Sequence, residues 1–124
     1  CALLQKLFAA FAIPTDYHSV PGSFCDGRFN LAVGGRKIAG TAQYWQRRAA
    51  PPQHTVLASA VIIAADAGAL TARANRLEAA LHSPQRYRPD STTAIADYAA
   101  ANAEAVAATL RDLLQNGAAT WPET

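Results

Sequence analysis

Residues 29–44 carry the pattern that most restricts this chain: two apolar-alternating runs joined by a pair of glycines. Phe29, Leu31 and Val33 alternate with Asn30 and Ala32, the period of a half-buried strand. Gly34-Gly35 tolerates the positive φ angles of a tight two-residue hairpin turn, and Arg36 to Tyr44 supplies the return strand. With the glycines as turn residues, Val33 faces Arg36, Ala32 faces Lys37, Leu31 faces Ile38 and Asn30 faces Ala39. Directly opposed residues share a face of the sheet. Phe29, Leu31, Val33, Ile38 and Gly40 then form an apolar face. Asn30, Ala32, Lys37, Ala39, Thr41 and Gln43 form the other. A slip of one residue would reverse every one of these assignments.

The elements around the hairpin follow from periodicity and from helix stops. Leu3, Leu4, Leu7, Phe8 and Phe11 recur at three-to-four spacing, so the chain opens on an amphipathic helix, which Ile13-Pro14 ends. Thr15 to Val20 fits an edge strand and Pro21 to Gly27 a loop. Arg47 to Gln53, with Pro51-Pro52, is a second loop; His54 to Ile63 is a third strand, apolar enough to be central. Asp66 can cap a helix running to about Leu81, with Leu70, Leu77 and Leu81 on one side. Ser91 or Thr92 can cap a last helix with the stripe Ile95, Tyr98, Val106, Leu110, Leu113 and Leu114, ended by Gly117. The expected fold class is α+β, a mixed or antiparallel sheet with flanking helices, with residues 1–124 forming a single domain or part of one.

With 51% hydrophobic residues the chain can bury a core, and a formal net charge of +2 advertises neither nucleic acid nor a membrane surface. No signal-peptide pattern or membrane-length apolar run is present. The chain opens on Cys1 rather than Met, so a segment upstream is expected. Cys1 and Cys25 make no disulfide framework, which points to a reducing cytoplasm and a free Cys25 thiol. No ligand pair has metal spacing, and P-loop, dinucleotide and Gly-x-Ser-x-Gly signatures are lacking.

Of eleven basic residues only two, Lys6 and Lys37, are lysines. On its hairpin face Lys37 is a diagonal neighbour of Asn30, and the small neighbours Ala32, Ala39 and Gly40 leave open space over the strands. An ammonium there can hold a carbonyl oxygen or a carboxylate. Cys25 lies in the glycine-bounded loop before the hairpin; a nucleophilic cysteine needs an accessible thiolate, which a nearby cation favours. Spacing alone leaves the ordinary alternatives open: a solvated surface lysine and a small buried cysteine. His54 opens the third strand beside the hairpin, whereas His18 and His82 fall at an edge strand and a helix-terminal loop.

The stretch from Pro21 to Gln43, PGSFCDGRFNLAVGGRKIAGTAQ, resembles the biotin/lipoate protein ligase and transferase superfamily. Gly35-Arg36-Lys37-Ile38-Ala39-Gly40-Thr41-Ala42-Gln43 is similar to that superfamily's lysine motif. The strand from His54 resembles the next family strand, with Thr55 where glycine is usual, and the resemblance extends to about Asp66. Pro21-Gly22-Ser23-Phe24-Cys25 is similar to the cysteine loop of octanoyl transferases and amidotransferases. ATP-dependent lipoate–protein ligases share the lysine motif but do not need that cysteine.

This resemblance implies the C-terminal portion of a lipoate ligase/transferase-like catalytic domain, in a cytoplasmic enzyme that moves an octanoyl or lipoyl group through a cysteine acyl-enzyme. Cys25 and Lys37 are then the catalytic candidates, and Asn30, Gly35, Gly40, Thr41, Ala42 and His54 the substrate-binding ones. No metal or cofactor is implied; lipoate or octanoate is substrate, and ATP enters only under the ligase alternative. The implied partners are a lipoyl domain or the glycine cleavage H protein, with acyl carrier protein as a further donor. The family's Arg- and Gly-rich acyl-pocket segment has no counterpart in this chain, so a missing N-terminal half is expected upstream or on another chain. A non-catalytic carrier-binding or partner subunit is the remaining alternative.

Overall fold

A computed structural model describes residues 2–49, 51 and 54–117. Cys1, part of the second loop (Ala50, Pro52 and Gln53) and residues 118–124 lie outside the described residues. The elements run α1 (Ala2–Ala10), β1 (Asp16–Tyr17), β2 (Leu31–Val33), β3 (Arg36–Arg47), β4 (His54–Ile62), α2 (Ala67–Ala80) and α3 (Ala103–Gly117). Single 3-10 turns, Pro89–Ser91 and Ile95–Asp97, lie between α2 and α3. The strands form one four-stranded sheet in the order β1-β2-β3-β4, every pair antiparallel, so the fold is α+β.

The hairpin turns where the glycines predict: Gly34 and Gly35 have φ of 54° and 76°, Val33 pairs with Arg36 and Ala32 with Lys37. Beyond that the expected register fails. Leu31 pairs with Ala39, not with Ile38, because β3 carries one extra residue opposite the Leu31/Ala32 step. This bulge inverts the alternation along the rest of β3. Ala39, expected beside Lys37, joins the buried core instead. Gly40, expected on the apolar face, turns toward Lys37. Phe29, expected in β2 and on that same apolar face, precedes the strand and is exposed.

Leu31, Val33 and Ile38 pack against Leu4, Leu7 and Phe8 of α1 and Val106 of α3, which explains why that sheet face is apolar. Leu110 and Leu113 continue the α3 contact, while Leu114 is exposed. The last helix starts later than the sequence predicts. Asn102 Oδ1 accepts the Ala105 N–H at 2.9 Å as its cap, so Ile95 and Tyr98 belong to the preceding segment. That segment runs beside β3: Lys37 bridges to Thr92 in parallel, and Thr93 N–H donates to Lys37 O at 2.8 Å.

Two further expectations are corrected. Among the described residues β4 is an edge strand rather than a central one, with Leu57 and Val61 exposed. Its run of Val, Leu and Ile has the composition of a doubly covered strand, but composition does not report which neighbours cover it. Asp66 stands at the N-cap of α2 with φ 56° and makes no side-chain capping bond. Leu70, Leu77 and Leu81 lie on or just past α2 and are exposed, so their common side faces no core among the described residues.

Candidate functional site

The bulge in β3 builds the site. In a regular strand Lys37 and Gly40 would point to opposite faces; the extra residue brings them together. A Cβ on Gly40 would lie 3.2 Å from Lys37 Nζ, 3.3 Å from its Cε and 3.6 Å from Asn30 Oδ1. Glycine therefore opens the space that the lysine head occupies.

Lys37 is only 3% exposed, unlike the solvated charge expected of most hairpin lysines. Its ammonium donates to the carbonyl oxygens of Phe24 and Cys25, each at 2.8 Å, and stands 5.6 Å from the Phe24 ring centroid. An ammonium has three N–H donors, so one remains beyond those two carbonyls. Burial pushes the Lys37 pKa below its ordinary 10.5, while the charges of Cys25 and Asp26 act in the opposite sense.

Cys25 sits in the loop between β1 and β2, exposed, with φ 51° in the left-handed region. Asp26 fastens that loop. Its Oδ1 accepts Val20 N–H at 2.9 Å and the Asn30 side-chain amide at 3.3 Å, and Ser19 Oγ donates to the carboxylate at 3.1 Å. A further tie comes from outside, Arg88 N–H to Gly22 O at 2.8 Å.

A cavity of about 280 Å³ lies where these parts meet. Phe24, Cys25 and Gly27 bound it from the loop, and Asn30, Lys37, Gly40, Thr41 and Ala42 from the hairpin. Ser59, Ala60, Val61 and Ile63 close it from β4 and its end. The arrangement offers an exposed thiol and a buried cation beside a mostly apolar wall, which suits an acyl chain with a polar reacting end.

The structure thus brings together Cys25, Lys37, Asn30, Gly40, Thr41 and Ala42. It does not bring in Gly35, which is exposed at the hairpin turn, or His54. His54 pairs with Arg47 at the far end of the β3–β4 ribbon, where its ring meets Trp45 edge-on at 6.4 Å between centroids. The β4 wall was missed in the sequence. Antiparallel pairing places Ser59 opposite Ala42 and Val61 opposite Gly40, but only a known register reveals it. Asp26 was also missed; an aspartate inside a glycine-bounded loop is the signal that could have found it. Among the described residues no helix is long and apolar enough to cross a membrane.

No protein-family model matches the chain. An uncharacterized protein of Cupriavidus necator is 39% identical over 117 residues, covering 86% of this chain and 46% of that protein. The octanoyl-[GcvH]:protein N-octanoyltransferase of Kyrpidia tusciae is 57% identical over 52 residues, covering 42% of this chain and 18% of that protein. The chain spans less than half the length of these curated relatives. Part of it is therefore similar to an octanoyltransferase, and a larger part to a protein whose name assigns no activity.

Proposed function

We propose that this chain carries the cysteine-and-lysine part of an octanoyl or lipoyl transferase. One observation carries the reading: Cys25 and Lys37 line the same cavity, and the Lys37 ammonium bonds the carbonyl of Cys25 itself. The partial likeness to an enzyme named for octanoyl transfer supports it.

In the proposed reaction the Cys25 thiolate attacks the acyl carbonyl carbon of a donor. A C–S bond forms, and the bond from the acyl carbon to the donor's thioester sulfur or amide nitrogen breaks. The leaving group takes up a proton. The remaining N–H of Lys37 is the donor that would face the developing oxyanion. A neutral carrier lysine then attacks the thioester, forming an amide and releasing the thiolate, with the amine proton lost to solvent. A cation next to the incoming amine favours its neutral form. The donor named in the relative, octanoyl-GcvH, is the one we propose first, with a lipoyl domain as acceptor. An acyl carrier protein is a second donor.

Intact-mass measurement of the full-length protein after incubation with octanoylated GcvH tests this. The expected result is one octanoyl increment that Cys25→Ser abolishes. No increment from either donor would overturn the reading. Transfer that needs ATP and survives Cys25→Ala would replace it with a ligase, and carrier binding without any transfer would replace it with a non-catalytic subunit.

A further inference from the structure

The loop that presents Cys25 is held from two sides, and the reaction described above uses only one of them. On the inner side the Lys37 ammonium grips the carbonyls of Phe24 and Cys25. On the outer side stands the carboxylate of Asp26, the next residue along the chain. It joins the two ends of the loop. Val20 N–H and Ser19 Oγ reach it from the entry, at 2.9 and 3.1 Å, and the buried Asn30 reaches it from the exit at 3.3 Å.

Within the loop itself the backbone supplies little restraint. Among the described residues the local backbone bonds are Ser23 N–H to Val20 O at 3.1 Å, a long Asn30 N–H to Gly27 O at 3.4 Å, and His18 N–H to Asn30 O at 3.2 Å at the loop's base; none of them reaches Phe24, Cys25 or Asp26. Cys25 nonetheless keeps φ at 51°, a conformation that an ordinary L-residue leaves unless its surroundings enforce it. Lys37 holds the two carbonyls of the peptide units that flank Cys25, and the Asp26 carboxylate ties the ends of the loop that carries them.

From this geometry we infer that Asp26 is a positioning residue: its carboxylate clasps the loop ends so that the Cys25 thiol is presented to the cavity wall opposite Lys37. The inference rests on the transferase reading for its catalytic consequence, but not for its geometry. The negative charge has a second effect, since it opposes the loss of the Lys37 proton caused by burial. Clasp and charge separate experimentally. Asparagine keeps an oxygen that can accept from Val20 N–H and Ser19 Oγ but has no charge, whereas alanine removes both.

The test compares wild type, Asp26→Asn and Asp26→Ala in the full-length protein. The measurements are iodoacetamide alkylation of Cys25, octanoyl transfer from octanoyl-GcvH, and thermal unfolding. The expected result is a fall in kcat on the order of tenfold to a hundredfold in Asp26→Ala at unchanged donor KM. Its alkylation rate should shift in parallel, its folded fraction should stay at the wild-type level, and Asp26→Asn should restore both rates at neutral pH. Wild-type alkylation in Asp26→Ala would overturn the inference. So would a loss that asparagine does not restore or that tracks loss of folded protein. Absence of octanoyl transfer in the wild type would sink the transferase reading alone, because the alkylation rates would still decide whether Asp26 sets the thiol's position.

Discussion

Lys37 Nζ lies 2.8 Å from the carbonyl oxygen of Cys25, so the buried cation holds the backbone of the residue proposed as nucleophile. The lysine shapes the site before any substrate arrives. This contact couples the hairpin, whose turn sets where Lys37 stands, to a loop that has no regular structure of its own.

The space for that contact comes from Gly40, and Gly40→Ala tests it. The added methyl would meet Lys37 Nζ at 3.2 Å and Cε at 3.3 Å, closer than carbon comfortably approaches either atom. Because the lysine end is flexible, the fold should survive with a loss of about 1 kcal/mol. The ammonium must move, so octanoyl transfer to Cys25 should slow by at least about tenfold. Urea unfolding and the rate of adduct formation read the two effects. Wild-type transfer would show that the ammonium's position does not matter.

Cys25 offers a prediction of opposite sign to the usual one. At φ 51° a side chain with a Cβ is disfavoured, and glycine is not. Cys25→Gly should therefore be more stable than Cys25→Ala by about 0.5 to 1 kcal/mol, even after glycine's greater freedom in the unfolded chain. Both should lack the octanoyl adduct. Equal stabilities in urea would mean that the loop relaxes once the thiol is gone.

The Lys37 pKa predicts a pH dependence on the alkaline side. Burial lowers it in the folded protein below the unfolded value of 10.5. Between those two values the unfolded chain holds more protons, so stability rises with pH across that window. Below the folded value the cost of burying the charge is paid in full. Deprotonation leaves an amine with two N–H donors, enough for the Phe24 and Cys25 carbonyls. The stability of the wild type relative to Lys37→Met should therefore be level below the folded value, increase with pH between that value and 10.5, and level off above it. Urea unfolding of both proteins across that range checks the sign. A flat difference would mean that the ammonium is not desolvated.

Much of the helical frame was legible locally. The apolar spacing of Leu4, Leu7 and Phe8 encodes the buried side of α1, and Val106, Leu110 and Leu113 encode that of α3. Tyr98 and Ile95 misled because their spacing continues the α3 stripe although the chain from Tyr98 to Asn102 is not helical. β4 misled for a different reason. Its residues specify a strand, but whether a strand is central depends on which other strands lie beside it.

By itself the sequence determined the turn at Gly34-Gly35, and with it the pairing of Ala32 with Lys37. Both depend only on backbone freedom at two glycines and on alternation over a few residues. Only the tertiary structure decided that Ile38 is an extra residue in β3, that Gly40 therefore shares a face with Lys37, and that the ammonium is buried against the Cys25 loop. Here β3 must meet β2 along one edge and the Thr92–Thr93 segment and β4 along the other, and the bulge leaves one of its residues unpaired against β2. That requirement comes from residues far apart in the chain, and no local pattern carries it.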